Sequence, residues 1–90
     1  MVLHQEFRFE FESQERVASF LRGLGGAVLV DDRGDFFVYR QLPGQDEFEF
    51  DCAIIPTGLL SNRSGQYFEF VGLFVEALTG EFGAVTVEDA

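Results

Sequence analysis

The groups able to do chemistry in this 90-residue chain are few: one His, one Cys, six Arg, no Lys and sixteen Asp or Glu. The absence of Lys removes Schiff-base, P-loop and lysine-acid mechanisms. His4 and Cys52 would make a nucleophile pair only if folding brought them together. Cys52 falls on the same side of an alternating stretch as Phe50, which marks it as a buried structural thiol. A Ser-His-acid triad can be written from Ser61 or Ser64 with His4, but no nucleophile elbow surrounds either serine. Asp31, Asp32 and Asp35 around Gly34 invite a calcium ion, yet the EF-hand pattern with its distant Glu is unmet, so no metal is expected. Their Gly and Asp residues suit a hairpin loop instead. Arg33-Gly34-Asp35 is a chance match to an adhesion tripeptide, and Asn62-Arg63-Ser64 is a glycosylation acceptor only in a secreted chain.

With catalysis so poorly provided for, the carboxylates themselves are the most informative residues. The formal net charge is −10, while 47% of residues are apolar and 12 are Phe, which is enough apolar surface to fold one small domain spanning residues 1–90. Such a charge repels a phosphate backbone or an anionic membrane and favours a basic protein partner. The charge is also uneven. Residues 1–45 hold seven acids and five Arg, for −2, whereas residues 46–90 hold nine acids and one Arg, for −8. A field of this kind steers an oppositely charged protein, although acidic strands also serve simply to stay soluble and unpaired at their edges.

The elements that must position these acids follow from periodicity. Phe7, Phe9 and Phe11 alternate with Glu6, Arg8, Glu10 and Glu12 over 6–12, and Phe48, Phe50 and Cys52 alternate with Glu47, Glu49 and Asp51 over 47–52. Both read as half-buried strands with an acidic outer face. Ser13 is a plausible N-cap for a helix carrying Val17, Phe20, Leu21 and Leu24, with Glu15 in its first turn and Gly25-Gly26 at its end. Short strands are predicted over 27–30 and 36–40, and a meander turned by Leu42-Pro43-Gly44-Gln45 leads into the 47–52 strand. The stretch from Pro56 to Gly65 reads as a breaker-rich connection. It presents Ser61, Asn62, Arg63 and Gln66 to a partner or a small anion, or else serves only as a surface connection with Ser64 capping the next helix. Tyr67, Phe70, Val71, Phe74, Ala77 and Leu78 then share one helical face, Gly80 and Gly83 close that helix, and Ala84 to Val87 make a last strand.

The fold expected is α+β: a two-layer sandwich in the order βαβββαβ, a ferredoxin-like variant. Its mainly antiparallel sheet has about five strands, with both helices on one face. The opposite face would then carry Glu6, Glu10, Glu12, Glu47, Glu49 and Asp51. The lone Cys allows no intramolecular disulfide, Met1 to Leu3 is too short for a signal-peptide core, and no run reaches the length of a membrane span. A cytoplasmic setting follows. A single Asn, two Ile and no Lys suggest a GC-rich bacterial genome.

The opening Phe-x-Phe-x-Phe strand followed by Ser13-Gln14-Glu15, the helix ending at Gly25-Gly26, and the closing Leu78-Thr79-Gly80-Glu81-Phe82-Gly83 together resemble the small acidic family of type B ribonuclease E activity regulators. Size, acidity and fold class also resemble bacterial toxin immunity proteins. Both resemblances imply a proteinaceous inhibitor, and neither supplies a site residue. The expectation is therefore a non-catalytic protein that needs no cofactor. It would be a monomer or homodimer that docks on the basic cleft of a nuclease or toxin, with carboxylates standing where phosphates would lie. Glu47, Glu49 and Asp51, then Glu10 and Glu12, are its expected contacts. The alternative is a self-associating regulatory domain whose acidity only keeps it in solution.

Overall fold

Strict alternation puts Phe7 into the first strand of a computed structural model that describes residues 3–89. Met1 and Val2, which belong to the short apolar N-terminus noted above, lie outside the described residues. The chain runs β1 (Leu3–Arg8), α1 (Gln14–Arg22), β2 (Val28–Asp32), β3 (Phe36–Arg40), β4 (Phe48–Ile55), β5 (Gly58–Gly65), α2 (Phe68–Phe82) and β6 (Thr86–Asp89). The strands form one six-stranded sheet in the order β2-β3-β4-β5-β1-β6, and every neighbouring pair is antiparallel.

The α+β class and the antiparallel sheet agree with expectation, but the strand count does not. The stretch predicted as a connection is β5, a central strand between β4 and β1, so the order is βαββββαβ. Glycine, serine and asparagine make β5 a poor strand former in isolation. Pairing on both sides overrides that weak preference. A two-residue turn, Pro56-Thr57, joins β4 to β5, and Ser64 therefore belongs to β5 and does not cap α2. β1 is also shorter than predicted, ending at Arg8. The Phe9 amide beyond it donates to the Thr57 carbonyl at 3.2 Å, and Phe9 stays buried against the Phe82 ring.

Ser13 caps α1 as its sequence position indicates, its hydroxyl accepting from the Arg16 amide at 3.2 Å. The helix stops at Gly23, earlier than Gly25-Gly26. α2 has no side-chain cap and carries Gly72 and Gly80 inside it, each worth roughly 1 kcal/mol of lost helix stability. Its burial of Phe70, Phe74 and Leu78 holds it. Both helices cover one face. There Val17, Leu21, Phe74 and Leu78 meet Phe7, Phe37, Phe50 and Leu59 in a single core. The Tyr39 hydroxyl, buried in that core, donates to the Leu21 carbonyl and so satisfies one of the last acceptors of α1.

β5 must be glycine at both ends: at Gly65, where an added Cβ would lie 2.5 Å from the Glu47 carbonyl oxygen, and more tightly at Gly58. Its φ is +146°, and an added Cβ would overlap the Phe7 carbonyl oxygen of the neighbouring strand. Gly58→Ala is expected to cost about 3 kcal/mol, read as a drop in the urea midpoint. An unchanged midpoint would show that the β1–β5 pairing yields at this point.

Candidate functional site

Register decides which acids share a surface. The residues opposite one another across the open face form rows: Arg40, Glu49 and Ser64; then Val38, Asp51, Asn62 and His4; then Phe36, Ala53, Leu60, Glu6 and Glu88. Arg8 lies in the next row, opposite Gly58 and Thr86. The acidic face expected from parity is therefore mixed in charge. Arg8, Arg40 and His4 share it with Glu6, Glu49 and Asp51, and half-buried Val38, Ala53 and Leu60 run through its centre.

The five expected contact residues separate into two places. Glu47 and Glu49 line one open cleft of about 710 Å³ at the start of β4, together with Asp46, Gln41, Ser64 and Gln66. Arg40 also lines it, held to the Glu49 carboxylate at 3.3 Å. Asp51 lies further along β4 on the same face. Glu10 and Glu12, expected on a strand, instead follow the end of β1. Glu10 lines a different cleft, with Thr57, Phe82 and Thr86, beside the far end of β4. β4 has 8 residues, so its two ends stand about 24 Å apart at about 3.4 Å per residue. One compact partner surface of ordinary size can still cover both, but they are not one site.

Asp51 is the most constrained of the five. Its Oδ1 accepts from both the backbone amide and the Nδ2 of Asn62, each at 3.2 Å. Burial nevertheless pushes its carboxyl above the usual range, and the Glu49 charge adds to that, while the Asn62 bonds and His4 oppose it. Glu6 is shifted the other way, held low chiefly by the Arg8 guanidinium, which also reaches Glu88 at 3.3 Å. Two of the three loop acids read against calcium have protein partners of their own. Asp32 accepts from Arg22 at 2.7 Å and from the Gly34 amide at 3.0 Å, and Asp31 pairs with Arg33 at 3.0 Å.

Among the described residues, His4 shares a sheet face with neither Cys52 nor Ser61. Cys52 sits in the row of Phe37 and Ser61 on the helix-covered face, whereas His4 pairs with Asn62 on the open one, so the pair is excluded by orientation. Burial pushes the Cys52 thiol up, and it is inert as a nucleophile at neutral pH. Ser61 is likewise buried on the covered face, away from His4.

Arg63 departs most from expectation. Instead of being displayed on a loop for a partner or anion, it points into the covered face and is 6% exposed. Its guanidinium lies 5.1 Å from the Tyr67 ring centroid and 5.9 Å from that of Phe7. Nε and Nη1 find no hydrogen-bond acceptor among the described residues, nor does the Ser61 hydroxyl two positions earlier find a partner. The alternation Leu59, Ser61, Arg63 between two glycines was the available signal, concealed by polar residues on the inward side.

No protein-family model, curated protein or solved structure matches the chain.

Two substitutions check these environments. The folded-state pKa of Asp51 is raised, so the wild type loses stability as pH climbs from the ordinary Asp value through the raised one. Asp51→Asn keeps the acceptor oxygen and removes the charge. It should be more stable than wild type at pH 7, with the difference vanishing toward pH 3 in denaturant titrations. Arg63→Met keeps most of the volume and removes a buried cation whose Nε and Nη1 lack acceptors among the described residues, so stability should rise by about 1 kcal/mol, read as a higher melting temperature. A lower melting temperature would show that the two flanking rings outweigh the unmet hydrogen bonds.

Proposed function

We propose that the chain is a non-catalytic acidic binding module, an inhibitor or immunity protein that occludes the basic, nucleic-acid-binding cleft of a nuclease or toxin. The observation that carries this reading is the gathering of Asp46, Glu47 and Glu49 around one open cleft whose single cation, Arg40, is already held by Glu49. Gln41, Ser64 and Gln66 supply neutral hydrogen-bonding groups between the carboxylates. Such a surface sets carboxylates beside neutral polar groups, and it suits a partner rich in Arg or Lys. The resemblance to acidic inhibitor families supports the same class of partner. A cytoplasmic bacterial setting goes with it.

The alternative, a self-associating regulatory domain, draws on Val38, Ala53, Leu60 and Ile55, half-buried on the open sheet face. Association through a sheet edge is opposed by the edges themselves. β2 has a register shift between Leu29 and Asp31 and ends in Asp31-Asp32, and β6 is four residues long and ends in Glu88-Asp89.

The test is capture from a native-host lysate at low salt, followed by a salt ramp and measurement of the captured protein's affinity for variants. A basic protein should elute only as salt rises. Glu47→Ser with Glu49→Ser should weaken its binding by about tenfold or more and flatten the salt dependence, whereas Glu10→Ser with Glu12→Ser should change binding far less. Equal loss from both pairs would refute the assignment to the β4 cleft. Recovery of the bait alone, with a salt-insensitive dimer in sedimentation, would favour self-association.

A further inference from the structure

A second surface lies on the other layer of the molecule. Glu69, Leu73, Ala77 and Glu81 follow one another at four-residue spacing and so share one flank of α2. That flank forms one wall of three open clefts of about 480, 450 and 350 Å³ that run into one another. The first two share Gly26 and Leu73, and the last two share Leu24, Gly25 and Ala77. Together they make a groove along the seam between α2 and the C-terminal turn of α1, about 18 Å from Glu69 to Glu81 at about 1.5 Å per residue.

The floor is apolar and the rim is acidic. Leu73 is 48% exposed and Leu42 36%, with Leu24 and Ala77 continuing the apolar strip. The opposite wall is the glycine turn after α1. Gly26 has a φ of +90°, and an added Cβ would come within 3.0 Å of Leu73 Cδ1, so this wall is bare backbone against which Leu73 packs closely. Asp46, Glu69 and Glu76 stand along the rim, and α2 contains no basic residue. Arg16, near one end, is tied to Glu81 at 3.0 Å.

We propose that this groove takes one amphipathic basic helix of the partner, with aliphatic side chains one turn apart seated on Leu73 and Ala77 and Arg or Lys facing the rim carboxylates. Charge complementarity selects the occupant. A second copy of this chain carries the same −10 and would bring like charge to Asp46, Glu69 and Glu76. A purely hydrophilic basic segment would leave the leucines wet, whereas a helix laid in a groove between helices satisfies both walls at once. The inference rests on the reading of the chain as a binder of a basic protein and adds the part of that partner it grips.

The probe is a synthetic 18-residue peptide with leucines on one helical stripe and arginines and alanines elsewhere. Its control is an isomer of the same composition with the leucines scattered. Binding is followed by amide chemical shifts of the 15N-labelled protein. The striped peptide should perturb Gly25, Gly26, Leu73 and Ala77 most and bind about tenfold or more tightly than its isomer. Leu73→Arg, at a half-exposed position, should weaken binding by about tenfold while leaving the melting temperature close to wild type. Equal binding of both peptides overturns the proposal, and so does absence of binding. Shifts centred on Glu47 and Glu49 would overturn the groove while agreeing with the proposed function. That function is decided separately by the Glu47 and Glu49 variants against the captured protein.

Discussion

The Phe70 ring touches those of Tyr39, Phe48, Phe50 and Phe74, and through them a single turn of α2 is fastened to β3 and β4. A domain this small buries a modest fraction of its surface, so it must draw its stability from a few large side chains. The aromatic layer answers that constraint, and the remaining architecture follows from it. An uncapped helix with two internal glycines is tolerated because its ringed face is buried. Both helices must lie on the ring-bearing side of the sheet. The other side is left to water and to charge.

How far the fold could be read in the sequence depended on whether alternation stayed clean. β1 and β4 alternate Phe with acids, and their inward residues are as parity requires. α1 carries its own capping serine and apolar stripe. β5 is different in kind. Its inward positions hold Leu59, Ser61 and Arg63, so hydrophobic parity is broken on the buried side by a hydroxyl and a guanidinium. Only the Pro56-Thr57 turn following Ile54-Ile55 hinted at a hairpin. The misplacement of Glu10 and Glu12 has a similar origin. Phe9 and Phe11 continue the alternating code, but the ladder stops at Arg8, and beyond it burial is set by packing against Phe82 and not by strand geometry.

Arginine placement bears on the charge that the candidate surfaces keep. Five of the six arginines reach an acid on the surface, through the pairs Arg8–Glu6, Arg16–Glu81, Arg22–Asp32, Arg33–Asp31 and Arg40–Glu49. Exposed pairs of this type add little stability. Their effect is to offset the charge of the carboxylates they touch. The sixth, Arg63, is buried beneath the sheet's helical cover and quenches nothing outside. Asp46, Glu47, Glu69 and Glu76 are among the several described acids that no arginine reaches. They border the β4 cleft and the α2 groove, two depressions that share Asp46, Phe48 and Gln66.

The pairing of β1 with β6 has a consequence for the order in which the molecule assembles. β2 to β5 are consecutive neighbours, so each of those ladders closes over a short loop at small entropic cost. β1 must instead find β5 across α1 and three intervening strands, and β6 docks only on β1, with Gln5 opposite Asp89. The meander is thus the local part of the topology and the β1–β6 ribbon the long-range part. With all four residues of β6 exposed, the two ends of the described chain meet in a ladder that is open to solvent along its β6 side.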